Sequence, residues 1–288
     1  MTKFLLHLIL LGFCLISSCS TSKVQQSGWQ LVVDKQNFPE GITWDYNNTL
    51  YSSNCYGNWI TKIQNGVVDT FLLASDSTFQ KTNGLFAINE NTIIAADYGN
   101  GKILKFSSNG ITEILVDGYL GNPLNRPNDL TFDKNGNLFF TDPKNYGIDK
   151  LDGRIFYYNI ETAEIRLLKD SLAFPNGIAF SPIDDKLYIC ESAKSRIIRF
   201  DSDAYDKLTN MEVFVELPGG DPDGINFDER GNLYVAHFGG GAVIVISVNG
   251  DILRKINTPG KKPSNVEFGD EDLKTLYITE DETNSIYK

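Results

Sequence analysis

Apolar residues along this chain come in short alternating runs, cut at close intervals by Gly, Asn and Asp. The runs "LYSSN", "IIAAD", "LFFTD", "LYICE", "LYVAH" and "LYITE" are versions of one strand, each ending on a polar or charged residue. Turns such as "DKNGN" and "DERGN" precede them, and further runs such as "GKILKFS", "GRIFYYN", "SRIIRFD" and "GAVIVIS" follow. Most copies add another, as in "EIRLLKD" and "DILRKIN". A period of two between such turns predicts β-strands, with no helical pattern to compete.

The runs belong to one repeated unit. Six copies open with "PEGITWD" at Pro39, "TNGLFAI" at Thr82, "PNDLTFD" at Pro127, "PNGIAFS" at Pro175, "PDGINFD" at Pro222 and, shifted by one residue, "PSNVEFG" at Pro263. Four strands recurring every 40 to 50 residues mark a propeller blade. The expectation is an all-β, six-bladed β-propeller over residues 29–288. The last copy stops at its third strand, "NSIYK", and "WQLVVDK" at Trp29 to Lys35 is placed to supply the missing one. That closure by the N-terminal strand would hide an open sheet edge.

In a propeller the first strand of each blade lies innermost. Its opening polar residue, Glu40, Asn83, Asn128, Asn176, Asp223 or Asn265, would then stand at one mouth of the channel. Two carboxylates and four amides give a ring of hard oxygen donors, which suits Ca²⁺ before Mg²⁺ or Mn²⁺. The competing reading is that these residues bond backbone where blades begin, as Asn and Asp often do. It accounts for Asn83 and Asn265 and leaves Glu40 unexplained.

The second strand returns to the same mouth and ends on Asn54, Asp97, Asp142, Glu191, His237 or Glu280. These either orient the first ring, contact substrate, or make structural hydrogen bonds. Asp142 and His237 are singled out as substrate contacts, histidine being the residue type that titrates near neutral pH. Cys55 and Cys190 fall on opposite sides of the ring, so they read as two buried thiols rather than a disulfide.

Residues 1–18 read as a lipoprotein signal peptide: Lys3, then the apolar "FLLHLILLGFCLI", too short to span a bilayer comfortably, then "LISSC". Cys19 would carry the lipid, and residues 19–28 a polar tether. An ordinary signal peptide cut near Ser18 is the plainer alternative. The lipid reading predicts an exported bacterial lipoprotein held at the membrane by its N-terminus alone, on the outer membrane or the periplasmic face. Net charge is −11 at pH 7, and no basic cluster offsets it, which excludes nucleic acid as a partner. With His7 inside the signal, His237 is the sole histidine left, so zinc sites built from several histidines are excluded.

The segments "FPEG", "NRPNDL…GNLFFTDP", "FPNGIAFS" and "DPDGINFD…GNLYVAHFGGG" resemble the gluconolactonase, senescence-marker-protein and luciferin-regenerating-enzyme family, with diisopropyl fluorophosphatase a more distant relative. The resemblance runs from Trp29 to Lys288 with its motifs in order. It implies a six-bladed propeller with one catalytic divalent ion, commonly Ca²⁺, though Mn²⁺ or Zn²⁺ serve some members. It implies metal ligands at Glu40, Asn176 and Asp223, with Asn128 as ligand or substrate contact. It implies substrate contacts at Arg126 and Asn83, and a catalytic role for Asp223 as general base or nucleophile. The loop "KNYGIDKLDG" after Asp142 departs from the family pattern.

The expected activity is hydrolysis of a small lactone, with the cation polarising the carbonyl. Alternatives are a phosphotriesterase or esterase on the same residues, and a non-catalytic, Ca²⁺-stabilised sugar-binding propeller. One histidine and no nucleophile elbow leave little for a serine-hydrolase route, and Gly239 to Gly241 read as a strand connection, not a phosphate loop.

Overall fold

The computed structural model describes residues 28–45, 47–74, 79–89, 92–107, 112–202 and 207–288. The signal sequence, Cys19 and all but the last residue of the tether lie outside the described residues.

The first five repeats each fold into a four-stranded antiparallel sheet whose strands pair in chain order. Blade one comprises Pro39–Trp44, Thr49–Asn54, Trp59–Gln64 and Val67–Leu73. Blade four, directly across the ring, comprises Pro175–Phe180, Leu187–Glu191, Arg196–Ser202 and Leu208–Glu216. Innermost strands of neighbouring blades touch all the way round, the sixth meeting the first. The six-bladed propeller is therefore complete. Blade six takes Pro263–Gly269, Thr275–Glu280 and Ser285–Tyr287 from the C-terminus and Leu31–Val33 from the N-terminus. Leu31 pairs with Tyr287 and Val33 with Ile286, which is the closure the sequence predicts.

The core is divided among the seams. One cluster joins blades four and five through Tyr188, Cys190 and Ile197 against Ile225, Val235 and Ile244. Another seals the closure, with Ile42, Leu50 and Ile63 against Tyr277 and Ile286. Alternation serves this design, since each sheet is apolar on both faces and a neighbouring blade covers each face. Cys55 and Cys190 are free and buried, as expected.

Two features aim the ring residues at the axis. Pairing in blade one runs from Pro39↔Asn54 straight to Ile42↔Ser52, so Glu40 and Gly41 sit in a bulge. The same irregularity recurs at Pro175/Ile178 and Pro222/Ile225. A bulge turns a side chain away from the ladder direction, and here it directs Glu40, Asn176 and Asp223 inward. The glycine that follows has a packing reason. A β-carbon on Gly177 would run into the Asp223 carbonyl oxygen, and one on Gly41 into that of Asn83.

Candidate active site

The ring residues meet in a cavity of about 210 Å³ at one mouth of the channel. Glu40, Asn83, Asn128, Asn176 and Asp223 all line it. Asn265 is buried but bonds its own strand, Oδ1 accepting from the Val266 N–H at 2.8 Å. Larger depressions of about 620 and 480 Å³ contain none of the ring: one lies beside the closing strand, the other where the inner strands end at Trp44, Phe227 and Phe268.

Neighbouring blades hold the ring backbone. Ser53 Oγ donates to the Asn83 carbonyl at 2.7 Å, Thr141 Oγ1 to that of Asn176 at 2.8 Å, and Thr279 Oγ1 to that of Glu40 at 2.9 Å. Each carbonyl is thereby turned into the wall, which leaves its side chain facing the cavity.

Electrostatically the floor is crowded with carboxyl groups. Asp223 is pushed well above the usual carboxylate range by burial first, then by Glu40, Asp129 and Asp221, with the Asn176 amide pulling the other way. Glu40 is raised too, by burial and then by Asp281 and Asp129. Asp129, which takes the place of the glycine in the third repeat, is raised to about 7 by burial. Buried carboxylates of one sign need a counter-charge. The donor set here, two carboxylates with carboxamide oxygens, fits a hard divalent cation. Among the described residues no three His, Cys, Asp or Glu side chains form a metal-binding group, so such a site depends on its asparagines.

The second ring belongs to the wall and not to the cavity. Asn54, Asp97, Asp142, Glu191 and Glu280 each accept the backbone N–H three residues before a ring member, from Asn37, Gln80, Asn125, Ala173 and Lys262 respectively. They clamp the chain as it enters each inner strand. The structure places Asp142, expected as a substrate contact, in the wall. It is fully buried, and its carboxylate is taken up by the Asn125 and Arg126 N–H groups and the Arg154 guanidinium. His237 is withdrawn as well, since Nε2 donates to the Leu217 carbonyl at 3.1 Å and the ring packs on Gly240. Arg126 stands exposed at the outer rim, where Nη1 donates to the Tyr98 hydroxyl at 3.1 Å.

The residues that do face the cavity sit one place further along. Cys55, Tyr98 and Ser192 line it, each directly after a clamp residue, and so does Phe238, directly after His237. The equivalent position in blade six holds Asp281, a buried carboxyl beside Ser264 that is not among the residues lining the cavity. Burial, then Asp223 and Glu280, raises it to about 9. Strand alternation is the signal that could have found this set. The clamp points along the wall, so the next residue points inward. Tyr146, from the departing loop, reaches across to blade five, its hydroxyl donating to Asp221 Oδ2 at 2.8 Å. Its ring meets Phe174 edge-on at 5.3 Å, which roofs one side of the cavity.

Comparison with known proteins agrees with this geometry. Residues 38–281 match the family model described as the SMP-30/Gluconolactonase/LRE-like region. A gluconolactonase of Zymomonas mobilis is 32% identical over 220 residues, which cover 69% of this chain and 60% of that protein. The chain thus spans less than two thirds of that relative. The diisopropyl-fluorophosphatase of Loligo vulgaris is 28% identical over 214 residues, covering 69% of this chain and 68% of the squid protein. The solved structure of a gluconolactonase from Xanthomonas campestris superposes with a TM-score of 0.79 at 27% identity, covering 90% of this chain and 88% of the other. The chain belongs to the SMP-30/gluconolactonase/LRE-like family.

Proposed function

We propose that this chain is a divalent-cation-dependent lactonase, converting a small lactone and water into the open hydroxy acid. The observation that carries this is the meeting of Glu40, Asn128, Asn176 and Asp223 on one buried floor, where the two carboxyls stay ionised together only if a cation balances them and otherwise hold protons. Those four side chains would hold the ion, Ca²⁺ by its preference for oxygen. Bound there, the ion supplies a positive charge that polarises a carbonyl and stabilises an oxyanion.

The remaining chemistry belongs to side chains. Asn128 and Asn83 orient the lactone over the floor. Asp223 takes the proton of the attacking water; the ring C–O bond breaks, and the ring oxygen leaves as the alcohol once protonated. Burial first, and then its acidic neighbours, give Asp223 a higher proton affinity than an ordinary aspartate in the cation-free chain. The clamps and bulges keep this arrangement in place before substrate arrives, which is what makes such electrostatics effective.

The test is acid release from a panel of lactones by the purified full chain, after exhaustive chelation and again with Ca²⁺ restored. Turnover should vanish and return. Calcium binding without turnover on any lactone would contradict the reaction; phosphotriesters would be tried next, in view of the likeness to the squid enzyme. For Cys19 the reading remains a lipid anchor on an exported protein. Fatty-acid labelling that persists in Cys19→Ala would refute it.

A further inference from the structure

We propose that the lactone this site accepts is apolar, carrying a short alkyl or aryl substituent, and not a polyhydroxylated sugar lactone. The inference rests on the lactonase reading above and concerns the wall, not the floor. Six aromatic residues line the cavity: Phe38, Tyr56, Tyr98, Tyr146, Phe174 and Phe238. They form a collar above the ring. Phe38 and Tyr56 pack with centroids 4.4 Å apart, and Tyr146 closes on Phe174.

Most polar atoms of the collar are already committed, the exposed Tyr56 hydroxyl apart. The Tyr146 hydroxyl donates to Asp221, the Tyr98 hydroxyl accepts from Arg126, and Ser192 Oγ donates to the Pro222 carbonyl at 2.6 Å. Two left-handed backbone positions contribute to this surface. Phe38 at φ 57° and Phe174 at φ 55° place phenyl rings where a residue of ordinary backbone geometry would turn elsewhere. The same backbone recurs at Lys81 before the inner strand of blade two, so blade entry sets the conformation and the aromatic side chains at Phe38 and Phe174 use it to face the cavity.

A sugar lactone brings several hydroxyls, each bonded to water outside. With its carbonyl on the floor beside Asn83 and Asn128, the hydroxyls that project further out would face mostly aromatic carbon and lose their partners. A buried donor or acceptor left unpaired weighs against binding. An alkyl or aryl group loses nothing and gains contact with the collar. The cavity, at about 210 Å³, is below the usual range for drug-sized ligands, so the substituent is short.

The experiment compares δ-octalactone with glucono-1,5-lactone, similar in size and identical in ring, using the full chain with saturating Ca²⁺ and subtracting spontaneous hydrolysis. We expect kcat/KM at least tenfold higher for the alkyl lactone. An equal or better value for the sugar lactone overturns the substrate class and leaves the lactonase reading standing. If neither is turned over, binding of the two corresponding lactams is measured by calorimetry. A tenfold preference for the alkyl lactam then supports the apolar class while refuting the reaction, and the absence of a preference refutes both.

Discussion

Gly177 is the contact point at which the inner strand of blade four meets the Asp223 carbonyl of blade five, with no room for a methyl group between them. The backbone that carries the proposed base is therefore positioned by a glycine in the neighbouring repeat. Gly177→Ala should lower stability by about 1–3 kcal/mol, the range for overpacking, and weaken cation binding with it. Gly28→Ala, with nothing within 4 Å, should move the urea midpoint by the equivalent of no more than about 0.5 kcal/mol. Equal effects would show that the close approach is not what holds the ring.

Asp142 and Asp223 should part company under the same substitution. Asp142→Asn weakens the pairing with Arg154 and loosens the Arg126 segment, so it should cost stability while turnover per folded molecule changes less than tenfold. Asp223→Asn should leave the urea midpoint of the chelated protein equal or higher, and lose turnover by about a thousandfold or more. Urea denaturation and steady-state kinetics on both variants decide it. A catalytic collapse in Asp142→Asn would return that residue to the site.

How much of this was legible in the sequence follows from what repeats. The six blades, the closing strand and the ring Glu40 to Asn265 are periodic, so phase alone located them. The wall was misread by one residue, because counting from the ring reached the clamps, Asn54 to Glu280, when the next side chain turns inward. Asp281 was missed for that reason. The role of Tyr146 was not legible, because it sits in a loop with no counterpart in the other repeats and its partner Asp221 is two blades away. The Gly in "EGI", "NGI" and "DGI" was visible as a pattern, but its cause, an approach between blades, exists only in three dimensions.

Stability should depend on pH through the channel carboxyls. In the folded chain burial first pushes Asp129 up to about 7 and Asp281 up to about 9. Unfolded, they ionise near pH 4. Between those limits the folded chain holds protons that the unfolded chain has released, so stability falls as pH rises from about 4 to about 9. With chelator present, Tm should decline across that window. Added Ca²⁺ should raise Tm more at about pH 8.5 than at about pH 5.5, since binding must displace protons. A calcium effect that shrinks with rising pH would contradict the picture.

Asp281 offers a sharper version of the same argument. Burial first, and then Asp223, hold it protonated against the opposing pull of Ser264. Asp281→Asn should stabilise the chelated protein at about pH 8.5 and weaken Ca²⁺ binding by about tenfold, the order expected for removing one nearby opposite charge. Differential scanning calorimetry and a calcium titration on the same preparation check both halves.

The central claim is that the ring holds one divalent cation, and calorimetric titration of Ca²⁺ into the chelated full chain tests it most directly. The account predicts one ion per chain, with proton release at neutral pH, and loss of that binding in Glu40→Gln and in Asp223→Asn while both variants remain folded. A chain that binds no calcium, or that binds it unchanged in both variants, would contradict it.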